Sequence, residues 1–172
     1  MGVFFYCLKP RKEKLKMAIK YNIEKHATAF PSKVLAHEGG AHIFNIELTA
    51  ACDNGNIVRK GEWLSLDLYG EAAASTMKGI IRQQATNGNW YVEITENPDH
   101  ELFVYQVPMI AEEWTNSFKK ESNFYNEAGD VVRAYDLAVG DIVEVSALGF
   151  DGEAKAGSNV TVVAKKFKVA TA

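Results

Sequence analysis

The segment His37-Glu38-Gly39-Gly40-Ala41-His42 holds the densest set of groups able to bind a metal or move a proton. A zinc-peptidase helix places two histidines four residues apart on one face, with the glutamate as general base. Here the separation is five, about 140° around a helix, and the glycine pair opposes helix formation. On a strand the same separation sends the two rings to opposite faces. The segment therefore reads as a turn carrying two surface histidines. His26 and His100 stand apart from other ligand types, and His100, after Asn97-Pro98-Asp99, is expected to face solvent. Cys52 sits in no nucleophile motif and reads as a small buried residue. The adjacent Glu112 and Glu113 would point about 100° apart on a helix and form no carboxylate pair. The chain has no G-x-S-x-G, no phosphate-binding loop and no G-x-G-x-x-G. The expectation is a protein that is not an enzyme, with no catalytic residues, no cofactor and no metal.

Charge and composition narrow the partners. The 172 residues are 47% hydrophobic and 24% charged, with a net charge of −3, an ordinary globular balance. The first sixteen residues, MGVFFYCLKPRKEKLK, carry +4, so the remainder carries −7. That acidity speaks against nucleic acid. No apolar run approaches the 18 or so residues of a membrane span, and two cysteines make no disulfide framework. In residues 1–16 a short apolar run precedes the charges, the reverse of a secretory signal. A basic membrane-surface tail is one reading. The preferred one is a translated leader, because Arg11-Lys12-Glu13-Lys14 is encodable almost wholly by purines, as a ribosome-binding site is, just ahead of Met17.

The elements that would position any site are short β segments between turn residues. A single all-β domain over 17–172, a barrel or sandwich with one or two short helices, is expected; closure protects sheet edges. Lys33–His37 and Ala41–Thr49 read as strands, the latter with Phe44, Ile46 and Leu48 on one apolar face. Asp53-Asn54-Gly55 and Asn87-Gly88-Asn89 are turn signals. Ile57–Val58 and Trp63–Leu68 read as two strands parted by Lys60-Gly61. Lys78–Val107 reads as a three-stranded meander, and Phe124–Tyr135 as a hairpin around Gly129. Phe150-Asp151-Gly152 reads as a turn. Glu71–Met77, rich in alanine, and Ala111–Lys120, with Ala111, Trp114 and Phe118 on one face, are the helical candidates. Lys165, Lys166 and Lys168 read as a solvated strand edge.

One further pattern is carried by Asn-Gly-Asn-Ile-Val-Arg-Lys-Gly (54–61), Asn-Gly-Asn-Trp-Tyr-Val-Glu-Ile (87–94) and Val-Tyr-Gln-Val-Pro (104–108). Glu-Ser-Asn-Phe-Tyr-Asn-Glu-Ala-Gly-Asp (121–130), Arg-Ala-Tyr-Asp-Leu (133–137) and Val-Gly-Asp-Ile-Val-Glu-Val-Ser (139–146) complete it. In this order they resemble small head-associated proteins of tailed bacteriophages, the capsid decoration or head-stabilising proteins encoded near the major capsid protein. The resemblance implies a non-enzymatic virion structural protein, made in the bacterial cytoplasm. Its partners would be the major capsid protein or another virion protein, and further copies of itself, with a trimer suited to local three-fold positions. It maps no contact residue. Trp63, Tyr69 and Trp114 are the interface candidates, since Trp and Tyr are enriched at hot spots; alternating strand aromatics more often belong to a core. The alternative reading is another phage or bacterial binding module, a tail or head connector component or a glycan- or receptor-binding β domain. The leader reading is checked by the intact mass of natively expressed protein, which should correspond to a chain starting at Met17; a mass retaining residues 1–16 overturns it.

Overall fold

The computed structural model describes residues 24–37, 42–108 and 120–170. The fold is all-β, as the turn-punctuated apolar segments require. Among the described residues twelve strands form two sheets. In chain order they are β1 (Ala29–Lys33), β2 (Ile43–Glu47), β3 (Ile57–Ser65), β4 (Leu68–Ala72), β5 (Lys78–Gln84) and β6 (Trp90–Glu96). They continue with β7 (Leu102–Val104), β8 (Val131–Asp136), β9 (Ile142–Val145), β10 (Phe150–Asp151), β11 (Asn159–Val163) and β12 (Lys166–Val169). β2, β4, β3, β7 and β8 close into a five-stranded barrel, and the other seven form one sheet in the order β1-β9-β6-β5-β11-β12-β10. Among the described residues the helices are single 3-10 turns at Leu35–His37, Glu121–Asn123 and Ala147–Gly149.

Strand alternation sorts the apolar side chains into two cores. Val58, Leu102, Val104, Val132 and Ala134 join Ile46, Leu48 and Cys52 in the barrel core. Their chain neighbours Ile57, Phe103 and Tyr135 belong to a second core shared with Ile81, Val92, Ile94, Val143, Val160 and Phe167 of the sheet. Three barrel strands are thus apolar on both faces, one toward the barrel axis and one toward the sheet.

The chain crosses between barrel and sheet four times, at β1–β2, β4–β5, β6–β7 and β8–β9, and polar side chains tie all four crossings together. Glu101, fully buried, accepts hydrogen bonds from the backbone N–H groups of Ser75 (2.6 Å), Thr76 (2.8 Å) and Met77 (3.0 Å), and from the Thr76 hydroxyl (3.0 Å). Asn97 accepts from the Glu101 N–H and donates to the carbonyls of Glu101 and Leu137. Asp141 accepts from the N–H groups of Leu35 and Ala138. These side chains thereby serve backbone groups where the ladder hydrogen bonds stop.

Several local expectations yield to these contacts. Glu71–Met77 is not helical: Glu71 and Ala72 finish β4, and the N–H groups of Ser75, Thr76 and Met77 go to Glu101 rather than to an i−4 carbonyl, which outweighs alanine propensity. The meander is half correct. β5 and β6 form the hairpin around Asn87-Gly88-Asn89, but β6 pairs next with β9, and β7 pairs with β3 and β8 in the barrel. All three residues of β7 are buried, so alternation could not assign it to a sheet. Lys60-Gly61 does not break β3; Gly61 is needed because a Cβ would lie 2.8 Å from the Gly70 carbonyl oxygen. The turn comes at Leu66-Asp67, with Asp67 at φ 57°. Phe124–Tyr135 is no hairpin: β8 pairs with β2 and β7, while Asn126 bridges to Cys52. β1 ends at Lys33 and Leu35–His37 forms a 3-10 turn. Phe150–Asp151 is a two-residue strand parallel to β12, and the turn follows at Gly152. Residues 1–16, Gly39-Gly40 and the helical candidate up to residue 119 lie outside the described residues.

Replacing Glu101 with alanine would leave three backbone donors of one segment unmet. Glu101→Ala is expected to cost about 3 kcal/mol or more of unfolding free energy, read by urea denaturation; a loss below about 1 kcal/mol would show that the crossings hold without it.

Candidate functional site

β3 pairs with β7 only at Ile57 and Val58, so the barrel wall opens beyond them. A cleft of about 380 Å³ lies there, with Phe44 and Leu102 as its apolar surface and Arg59, Asp99, His100 and Asp136 among its polar lining. Asp136 ends β8, and its Oδ2 lies 3.3 Å from His100 Nδ1 and 3.7 Å from His42 Nδ1. Its Oδ1 is buried and meets no donor among the described residues. Arg59 Nη1 lies 3.5 Å from Asp99 Oδ2. His100 sits at φ 50°, left-handed backbone that is uncommon outside glycine and that often marks a constrained site. The Asn97–Glu101 bonds hold the turn that carries it. A second hollow of about 270 Å³, lined by Leu35, His42, Leu137 and Val139, shares His100 and Asp136 with the first.

An aromatic ladder climbs from this mouth. Lys60 Nζ lies 4.6 Å from the Phe44 ring centre and 4.9 Å from that of Tyr69, within cation–π range. Tyr69 meets Phe44 edge-on at 5.9 Å and Trp63 edge-on at 5.1 Å. Trp63 and Tyr69 face each other across the β3–β4 pair, so two of the three interface candidates form one feature. Tyr69 packs against the barrel core, whereas Trp63 is 58% exposed, with Leu64 at 49% and Leu66 at 81% beside it on the hairpin. Trp114 and Glu112-Glu113 lie outside the described residues.

Other chemistry-bearing residues have structural partners. Burial pushes the Cys52 thiol up to about 12, with Glu71 and Asp53 adding to the rise and Lys165 and Asn126 opposing it; at neutral pH it is the protonated, unreactive form. Lys165 is not the solvated edge expected of it. Its ammonium pairs with Glu71, whose side chain is 4% exposed, and its carbonyl accepts the Ile57 N–H at 2.8 Å. Ala164 and Lys165, both at positive φ, make the β11–β12 turn that docks the sheet onto the barrel. His26 is not isolated: its Nδ1 lies 2.8 Å from Asp53 Oδ1 and its ring stacks on Tyr125.

His42, His100 and Asp136 come from three elements far apart in the chain, and nothing in their local sequence links them. His42 was visible only as part of a failed metal motif, and His100 only as a turn residue. Among the described residues no three His, Cys, Asp or Glu side chains are grouped to hold a metal ion. The described lining of the two hollows presents hydrogen-bond donors and acceptors but no serine, threonine or cysteine. Comparison with known protein families, curated proteins and solved structures finds no match for the chain.

Burial raises the Glu71 carboxyl, but the Lys165 ammonium and the N–H and hydroxyl of Thr49 outweigh it and hold the group below its ordinary 4.5. A carboxyl lowered on folding contributes stability in full above its unfolded value and loses it as pH falls through the folded one. Glu71→Gln is therefore expected to flatten the fall in unfolding free energy below about pH 4.5. Urea titrations at stepped pH check this, and an unchanged slope contradicts it.

Proposed function

We propose that this chain is a non-enzymatic structural protein of a tailed-phage virion, which binds the capsid surface through protein–protein contacts and assembles with further copies of itself. The observation that carries the reading is the β3–β4 hairpin, where Trp63, Leu64 and Leu66 expose large apolar surface beside the barrel. Apolar residues grouped on one projecting element mark an interaction surface more strongly than scattered ones. Trp63 is braced by Tyr69, so it is already ordered before contact, and a rigid aromatic loses little entropy on binding. The order of segments that resembles head-associated phage proteins supplies the class of partner, the major capsid protein.

Purified chain mixed with undecorated capsids of its phage is expected to co-sediment with them. Trp63→Ala and Leu66→Ser should each weaken that binding about tenfold or more, as loss of a hot spot does, with far-UV circular dichroism unchanged because both side chains are exposed. Failure of the folded wild-type chain to co-sediment overturns the proposal.

A further inference from the structure

We infer that the β5–β6 turn is a self-modification site, where Asn87 converts to aspartate and isoaspartate and so loses its tie to β9. This stands apart from the capsid reading and does not depend on it. The chain has two Asn-Gly pairs, Asn54-Gly55 and Asn87-Gly88, and asparagine is among the thermolabile side chains. A following glycine leaves the next backbone nitrogen unshielded by any side chain. That nitrogen attacks the asparagine Cγ and a C–N bond forms. The Cγ–Nδ2 bond breaks, and the amide nitrogen leaves as ammonia, carrying the proton that the glycine nitrogen gives up. The cyclic imide then takes up a water. Opening at Cγ gives aspartate, and opening at the backbone carbonyl gives isoaspartate, with the main chain running through the former side chain.

The fold separates the two pairs. Asn54 and Gly55 are buried. Asn54 Nδ2 donates to the Gln106 carbonyl at 2.8 Å, its Oδ1 accepts the Gln106 N–H at 3.0 Å, and the Gly55 N–H donates to the Val104 carbonyl at 2.8 Å. A Cβ at Gly55 would lie 2.9 Å from that of Ala29, so the imide has no room to close there. Asn87 and Gly88 are exposed, and a Cβ at Gly88 would meet nothing within 4 Å. The Gly88 N–H is held by one turn bond, to the Ala85 carbonyl at 3.0 Å. The end of an exposed hairpin opens far more often than a buried loop does. Asn87 Oδ1 accepts the Asn89 N–H at 3.0 Å, which folds the side chain back over the peptide that attacks it.

The same contacts say what the change does. Asn87 and Asn89 both donate to Glu144 Oε1, at 2.7 and 2.8 Å, and Glu144 stands on β9, the strand paired with β6. Conversion replaces the Asn87 donor with a carboxylate facing Glu144, and like charges so close repel. Isoaspartate also lengthens the main chain of a turn closed by the Ala85 N–H on the Asn89 carbonyl.

The test keeps the full chain in mildly alkaline buffer at physiological temperature, folded and, in parallel, unfolded in guanidinium. Peptide maps by mass spectrometry follow both asparagines. In guanidinium the two are expected to convert at similar rates. In the folded chain Asn87 should convert about tenfold or more faster than Asn54, the ratio set by easier local opening. Asn87→Asp makes the aspartate product directly and should lower the urea midpoint of unfolding; Glu144→Gln in the same chain should restore most of that loss. The inference is overturned if folded Asn87 keeps its amide over the period in which the unfolded chain loses it, or if folded Asn54 converts as fast as Asn87. An unchanged midpoint in Asn87→Asp overturns the loss of the tie.

Discussion

The buried carboxylate of Glu101 is the contact on which the two-layer arrangement turns. A strand that leaves one sheet for another must abandon its ladder, and the N–H groups at the crossing need new acceptors. Here one side chain supplies them for the β4–β5 crossing, while Asn97 accepts the Glu101 N–H at the β6–β7 crossing and donates to the Leu137 carbonyl at the β8–β9 crossing. Asp141 extends the tie to β1–β2. A buried carboxyl that is fully hydrogen-bonded is tolerated, whereas the same group without partners would be among the costliest features a small domain can carry. Specificity follows from this: only the packing of barrel on sheet brings Ser75, Thr76 and Met77 to Glu101.

The same buckle sets up the barrel mouth. Glu101 is preceded by His100, and Asn97 is bonded to the carbonyl of Leu137, the residue after Asp136. Fixing those two loops against each other brings His100 and Asp136 within 3.3 Å and holds a left-handed histidine on the rim. The rigidity needed to hold the fold together and the shape of the cleft thus come from one set of hydrogen bonds.

The contact at the β11–β12 turn is secured differently. There the sheet sends the β11–β12 turn into the barrel, and Lys165 pairs with Glu71 while its carbonyl caps the start of β3. Breaking such a pair by removing one partner costs more than the pair contributes, because the other charge is left in a dry place. The hairpin that bears Trp63 rises from these braced strands, which gives an exposed aromatic patch a stiff support.

Much of the fold was legible in the chain. Alternation in Phe44–Leu48 and Trp90–Ile94 placed their inward faces, and the Asn-Gly turns at Asn54-Gly55 and Asn87-Gly88 gave real turns with positive-φ glycines, because these signals are local. Acidity and the lack of motif chemistry likewise needed no coordinates. Which strands pair was not legible: β7 follows β6 in sequence but joins β3 and β8, since a strand buried on both faces reads the same in either sheet. The site was hidden for the same reason. His42, His100 and Asp136 meet only because three crossings converge, and Ser75–Met77 stays out of a helix because a carboxylate 24 residues on from Met77 takes its N–H hydrogen bonds. Local propensity and alternation are written residue by residue, whereas sheet partnership and the meeting of distant polar groups are decided by tertiary packing alone.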